Sequence, residues 1–176
     1  LNELSSLVHN ESTMLAENIL ARCLQARENV VIEGTLSWPG LGTRYLENLE
    51  ANDYAHLTIL DVEVSLALAL ERARARWVEG REAAINGADN GGGRFIPKQA
   101  ITWMYSDTEQ RFSCCNENAV NLFKDPRAAD FTSMELIVQT ETQDWAPAST
   151  GTLTYRRRHG DPTGPDPEYL KNDPPP

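Results

Sequence analysis

Cysteine, histidine and positive charge are all scarce in this chain, and each shortage removes a class of function. The three cysteines, Cys23, Cys114 and Cys115, are odd in number and two are adjacent, so they make no disulfide framework. They read as buried or incidental thiols of a reducing compartment. The three histidines, His9, His56 and His159, stand far apart and match no zinc spacing. Sixteen Lys and Arg against 26 Asp and Glu give a formal net charge of -10. That balance disfavours non-specific binding to nucleic acid or to an anionic membrane, both of which need a basic face. No apolar run approaches the ~20 residues that span a bilayer, and no charged-then-apolar leader opens the chain. The expectation is a soluble, cytoplasmic protein with no nucleic-acid or membrane partner.

The 176 residues suffice for one domain with a real core. Leu4, Leu7, Val8, Leu15, Ile19, Leu20 and Leu24 recur at helical spacing and predict a long amphipathic helix over 3–27. The apolar run Val30-Val31-Ile32 predicts a buried first strand over 29–33, followed by a turn at Pro39-Gly40 and a helix over 43–50. In that helix Tyr45, Leu46 and Leu49 face inward. A second strand over 56–62 then completes a βαβ unit with parallel pairing. A helix over 66–78 follows, and then a long Gly/Asn/Asp-rich loop over 80–93, a candidate lid. Pro97 opens a helix running towards Arg111. Strands are expected over 119–124, 134–140 and 152–156, with a Pro/Gly/Asp-rich disordered tail from Gly160.

Chemistry-bearing residues cluster at three places. In open α/β sheets ligands sit beyond the carboxyl ends of strands. Glu33 and Thr35, at the end of the first predicted strand, fall there, with Gly34 free to turn the backbone beside a ligand. Arg72, Arg74 and Arg76 lie on one helix and Arg94 follows the glycine-rich loop. The planar arginine fork matches phosphate oxygens, although alternate arginines on an alanine-rich helix also decorate solvated faces. Arg94, between Gly93 and the apolar Phe95-Ile96, is oddly placed for decoration. Glu17 borders the apolar stripe of the first helix, where a carboxylate can accept from sugar hydroxyls or stay in water.

The ordered set of a long helix, Val31-Ile32-Glu33-Gly34-Thr35, an arginine-bearing helix and Arg94-Phe95-Ile96-Pro97-Lys98-Gln99-Ala100 resembles the zeta toxin family over roughly residues 15–123. The family comprises P-loop kinases, many of which phosphorylate UDP-N-acetylglucosamine. The resemblance implies an α/β, three-layer parallel-sheet P-loop kinase-like fold over 1–124, incomplete at its amino terminus, with a β-containing extension over 125–159 and the tail over 160–176. It implies ATP and Mg²⁺ as cofactors, a nucleotide-sugar substrate and a possible antitoxin partner. By position, Glu17, Glu33 and Thr35 resemble the substrate-contacting residues, and Arg72 and Arg94 the phosphate-contacting arginines.

Residues 1–176 contain no Gly-x4-Gly-Lys-Ser/Thr loop, so the backbone nest and lysine that cradle nucleotide phosphates are missing. The aspartate expected soon after that loop is missing too, and Ser37 stands where family members often carry an arginine. Leu1 accordingly reads as a cut through a larger domain, inactive and sticky alone. Two rivals fit the same residues: a remnant or interaction module that lost its nucleotide loop, and a P-loop kinase of another small metabolite.

Overall fold

In the computed structural model, residues 8–88, 92–105, 112–141 and 151–165 are described. The chain divides into two compact units, one built from 1–30 and 66–103, the other from 31–65 and 104–176.

The first unit begins with α1 (His9–Gln25). Leu24 is buried, but Leu15 and Ile19 of the predicted apolar stripe are exposed, and Leu4 and Leu7 lie outside the described residues. The second helix of this unit, spanning Leu66–Ile85, outlasts its expected end. Residues 80–85, expected to open a loop, continue the helix, and within them Gly80 makes a close contact that a side chain would block. A Cβ on Gly80 would lie 2.6 Å from the Gly93 Cα, and one on Gly93 would overlap the Trp77 carbonyl oxygen. Two missing side chains thus let the stretch before Arg94 press on the helix. Trp77 and Phe95 close the contact edge-to-face at 5.5 Å, and the Arg81 guanidinium sits 5.9 Å over the Trp77 ring. The helix after Pro97 is short, Lys98–Thr102, and does not continue as expected through Met104. Residues 89–91 and 106–111 lie outside the described set.

The second unit holds the sheet. After α2 (Pro39–Glu50) comes β1 (His56–Val64). With the two helices of the first unit counted as α3 (Leu66–Ile85) and α4 (Lys98–Thr102), the next element is α5 (Cys114–Lys124), then a 3₁₀ turn Pro126–Asp130, β2 (Ser133–Glu141) and β3 (Gly151–Arg158). β1 pairs parallel with β2, and β2 pairs antiparallel with β3, giving the order β1-β2-β3. The α/β class holds, with a mixed sheet. The parallel pair is not the one expected, because 29–33 forms no strand: Val31 is 99% exposed and the segment runs irregularly from Arg27, which has φ of 56°.

Residues 119–124, expected as a strand, are the second half of α5. Ser113 caps that helix by accepting from the Cys115 N–H at 3.2 Å, with Glu117 in the first turn and Lys124 in the last. α5 buries Ala119, Val120, Leu122 and Phe123 between α2 and the sheet. Gly42 of α2 packs against the Leu122 side chain, and Leu46 and Leu49 are buried as expected. On the sheet, Ile59, Met134, Leu136 and Val138 face this layer, at one end of which sits Arg157, 2% exposed.

Arg157 replaces an ion pair with a cage of carbonyls. Its guanidinium donates to the Phe123, Asp125, Asp161 and Pro162 backbone oxygens at 2.7–2.8 Å. Burial holds its pKa below the usual arginine value, partly offset by Asp161 and Asp125. The start of the tail, expected to bury little, therefore wraps a core residue, and Gly164 at φ of 66° would meet the Phe123 ring if it carried a Cβ. Residues 166–176 lie outside the described set.

Candidate functional site

β1 inverts the usual distribution of its side chains. Leu60 and Val62 point outward, 62% and 59% exposed, while Asp61 and Glu63 point into the layer beneath α5, with 8% and 3% exposure. Successive strand residues alternate faces, so the two carboxylates share a side with Ile59. Each meets the amino-terminal end of α5. Ser113 donates to Glu63 through its backbone N–H (3.0 Å) and its hydroxyl (2.8 Å), and Asn116 Nδ2 donates to Asp61 Oδ2 at 2.5 Å. Burial raises the pKa of both acids. Glu63 is pushed up to about 7, with the neighbouring Asp61 charge adding to the effect and the Ser113 hydrogen bonds opposing it. Burial also pushes the Cys115 thiol up to about 11, which keeps it neutral and a poor nucleophile.

The same helix reaches the Glu-Gly-Thr segment. Asn118 Nδ2 donates to the Leu36 carbonyl at 2.6 Å, and Cys114 Sγ lies 3.8 Å from the Ser37 carbonyl oxygen. Glu33 and Thr35 are exposed on this irregular stretch, with Thr35 Oγ1 donating to Ser37 Oγ at 3.2 Å. The turn that was expected at Gly34 occurs instead at Leu36, which has φ of 48°; Gly34 has open space around it and no positive φ. The other three residues belong to the first unit. Glu17 is exposed on α1 and Arg72 is exposed on α3. Arg94 is exposed one residue beyond the contact of Gly93 with Trp77. Arg72 precedes Trp77 on α3 by about 7.5 Å of helix axis. Glu33 and Thr35 are thus brought together in one unit, and Arg72 and Arg94 occur in the other.

Asp61, Glu63, Ser113, Asn116 and Asn118 were not apparent as a cluster in the sequence. One signal was available: two acids at i and i+2 in a largely apolar strand, followed downstream by Ser113-Cys114-Cys115-Asn116-Glu117 with its capping serine.

A family model described as Zeta toxin matches residues 2–130. The chain belongs to the zeta toxin family. No curated protein and no solved structure matches it. The family is one of ATP-using P-loop kinases, and the mixed α/β sheet is consistent with that fold. The matched span runs through α1, α2, β1, α3, α4 and α5 and ends at Asp130, before β2. Among the described residues of this zeta toxin family member, no helix is long and apolar enough to cross a membrane. Among them too, no group of three or more His, Cys, Asp or Glu is arranged to hold a metal ion. Asp61 and Glu63 are both buried and accept from Asn116 and Ser113.

Proposed function

We propose that the protein carrying this chain transfers the γ-phosphoryl group of ATP to a hydroxyl of a nucleotide-activated sugar such as UDP-N-acetylglucosamine. The observation that carries the reading is the Glu33-Thr35 pair: a carboxylate and a hydroxyl, both exposed, on a segment whose backbone is held by the buried Asn118 amide. A carboxylate accepts from sugar hydroxyls, and a threonine hydroxyl can both donate and accept. Glu33 and Thr35 bind the acceptor, and Glu17 supplies a further acceptor-binding carboxylate. Arg72 and Arg94 meet the negative charge that spreads over the transferring phosphoryl oxygens. ATP and Mg²⁺ serve as the donor complex, and no step through the metal is assigned to residues of this chain. An antitoxin protein is the partner that family membership suggests, and a cytoplasmic site of action follows from the ATP and nucleotide-sugar substrates.

The test is ³¹P detection of a phosphorylated sugar when the full-length protein is incubated with ATP, Mg²⁺ and UDP-N-acetylglucosamine. Arg94→Ala is expected to cut turnover at least a hundredfold, and Glu33→Gln to raise KM for the sugar nucleotide. No product with the wild-type protein would remove this acceptor, and unchanged turnover in Arg94→Ala would remove Arg94 from the site.

A further inference from the structure

Leu36 takes a φ of 48°, a conformation that is unfavourable for a residue with a side chain and persists only where the surroundings over-determine it. The surroundings here are two residues of one helix. Asn118, 8% exposed, donates to the Leu36 carbonyl at 2.6 Å, and Cys114, one turn earlier on the same face of α5, lies against the carbonyl of Ser37. α5 is in turn fastened to β1 by Ser113 on Glu63 and Asn116 on Asp61. The stretch bearing Glu33 and Thr35 is irregular, and so gains its placement from these side chains rather than from a strand ladder.

We propose that Asn118 is a positioning residue: its amide fixes the Leu36 carbonyl and thereby sets where Glu33 and Thr35 present their oxygens to a hydroxyl-bearing acceptor. The inference rests on the acceptor reading above. Held in advance, the segment binds without the cost of ordering itself around the ligand. Asn118 acts through Leu36 and needs no contact with substrate.

The experiment compares Asn118→Ala and the isosteric Asn118→Asp with wild type in the full-length protein. Asn118→Asp replaces the donor by an oxygen facing the Leu36 carbonyl at nearly unchanged volume. Both are expected to bind UDP-N-acetylglucosamine at least tenfold more weakly and ATP within twofold of wild type. Both should also show lower ¹⁵N order parameters at Gly34 and Thr35, which a merely stabilising role elsewhere would not produce. Unchanged order parameters overturn the proposal, and so does sugar-nucleotide binding within twofold of wild type in a loosened segment. If wild-type protein binds no UDP-N-acetylglucosamine, the acceptor reading fails and the order parameters alone decide whether Asn118 holds the segment. Should Asn118→Ala not fold, Asn118→Ser keeps a polar side chain on the helix but is too short to reach the Leu36 carbonyl. The same tenfold loss is then expected, and wild-type binding overturns the proposal.

Discussion

Asn116 and Asp61 form a buried amide-to-carboxylate hydrogen bond of 2.5 Å between α5 and β1, with 1% and 8% exposure respectively. Apart from the Ser113–Glu63 hydrogen bonds at the helix cap, the helix and the strand are otherwise joined by apolar packing, which is non-directional. A short polar bond adds what packing lacks, a fixed rotation of α5 and hence a fixed place for Asn118.

Removing one partner of this bond is expected to cost more than removing both. Asn116→Ala leaves a buried carboxylate without its donor and should lower stability by about 2–3 kcal/mol. Asp61→Val combined with Asn116→Leu should recover much of that loss. Urea unfolding of the two single variants and the double variant, run as a cycle, checks the coupling.

Glu63 predicts a pH dependence with a definite sign. Its folded pKa is raised from 4.5 to about 7 by burial and by Asp61, so between those values the folded state binds more protons than the unfolded chain. Stability therefore falls as pH rises through that window and levels off above it, by at most about 1.4 kcal/mol per pH unit for this group. Asp61, also raised, acts in the same direction. Glu63→Gln should flatten the slope and increase stability at pH 8 by about 1–2 kcal/mol. Thermal melts from pH 4 to 8 measure it, and a slope unchanged in the variant would move its origin to another group.

Arg157→Lys keeps the charge but loses the planar fork that spans four carbonyls. A loss of about 3 kcal/mol or more is expected, because buried acceptors are left unpaired. Denaturant unfolding checks the magnitude. Faster amide exchange at the end of α5 and at 161–164 would localise it.

Gly80→Ala should gain about 1 kcal/mol of helix propensity and still destabilise the protein. The new methyl would sit 2.6 Å from the Gly93 Cα, a clash that outweighs the gain by forcing 92–95 off the helix. Gly93→Ala should be worse, since its Cβ meets the Trp77 carbonyl. Near-ultraviolet circular dichroism and quencher access to Trp77 report the separation, and under the proposed role of Arg94 both variants should also lose activity.

Local patterns read correctly wherever a strand or helix is decided by its own residues. The β-branched run of β1, the strand expected over 134–140 and the alanine-rich start of α3 all matched the elements found. Val30-Val31-Ile32 failed because an apolar run becomes a strand only beside a partner, and Val31 has none of its surface covered. Residues 119–124 are helical because the helix is started upstream by its cap at Ser113, a signal that Ala-Val-Asn-Leu-Phe does not itself carry. β1's reversed facing was also hidden, since apolar Leu60 and Val62 would be assigned inward and the acids outward. Glu33 and Thr35 were legible as a motif, whereas their support is not: Asn118 lies 82 residues from Leu36, and no local spacing encodes that bond.

The mixed sheet has a practical consequence for anyone expressing this protein. The family match stops at residue 130, yet the strand that pairs along the whole of β1, and the guanidinium that seals the end of α5, come after it. A gene trimmed at the match would strand Asp61 and Glu63 on an unzipped ribbon. Expression boundaries belong beyond Gly164, which packs against the Phe123 ring.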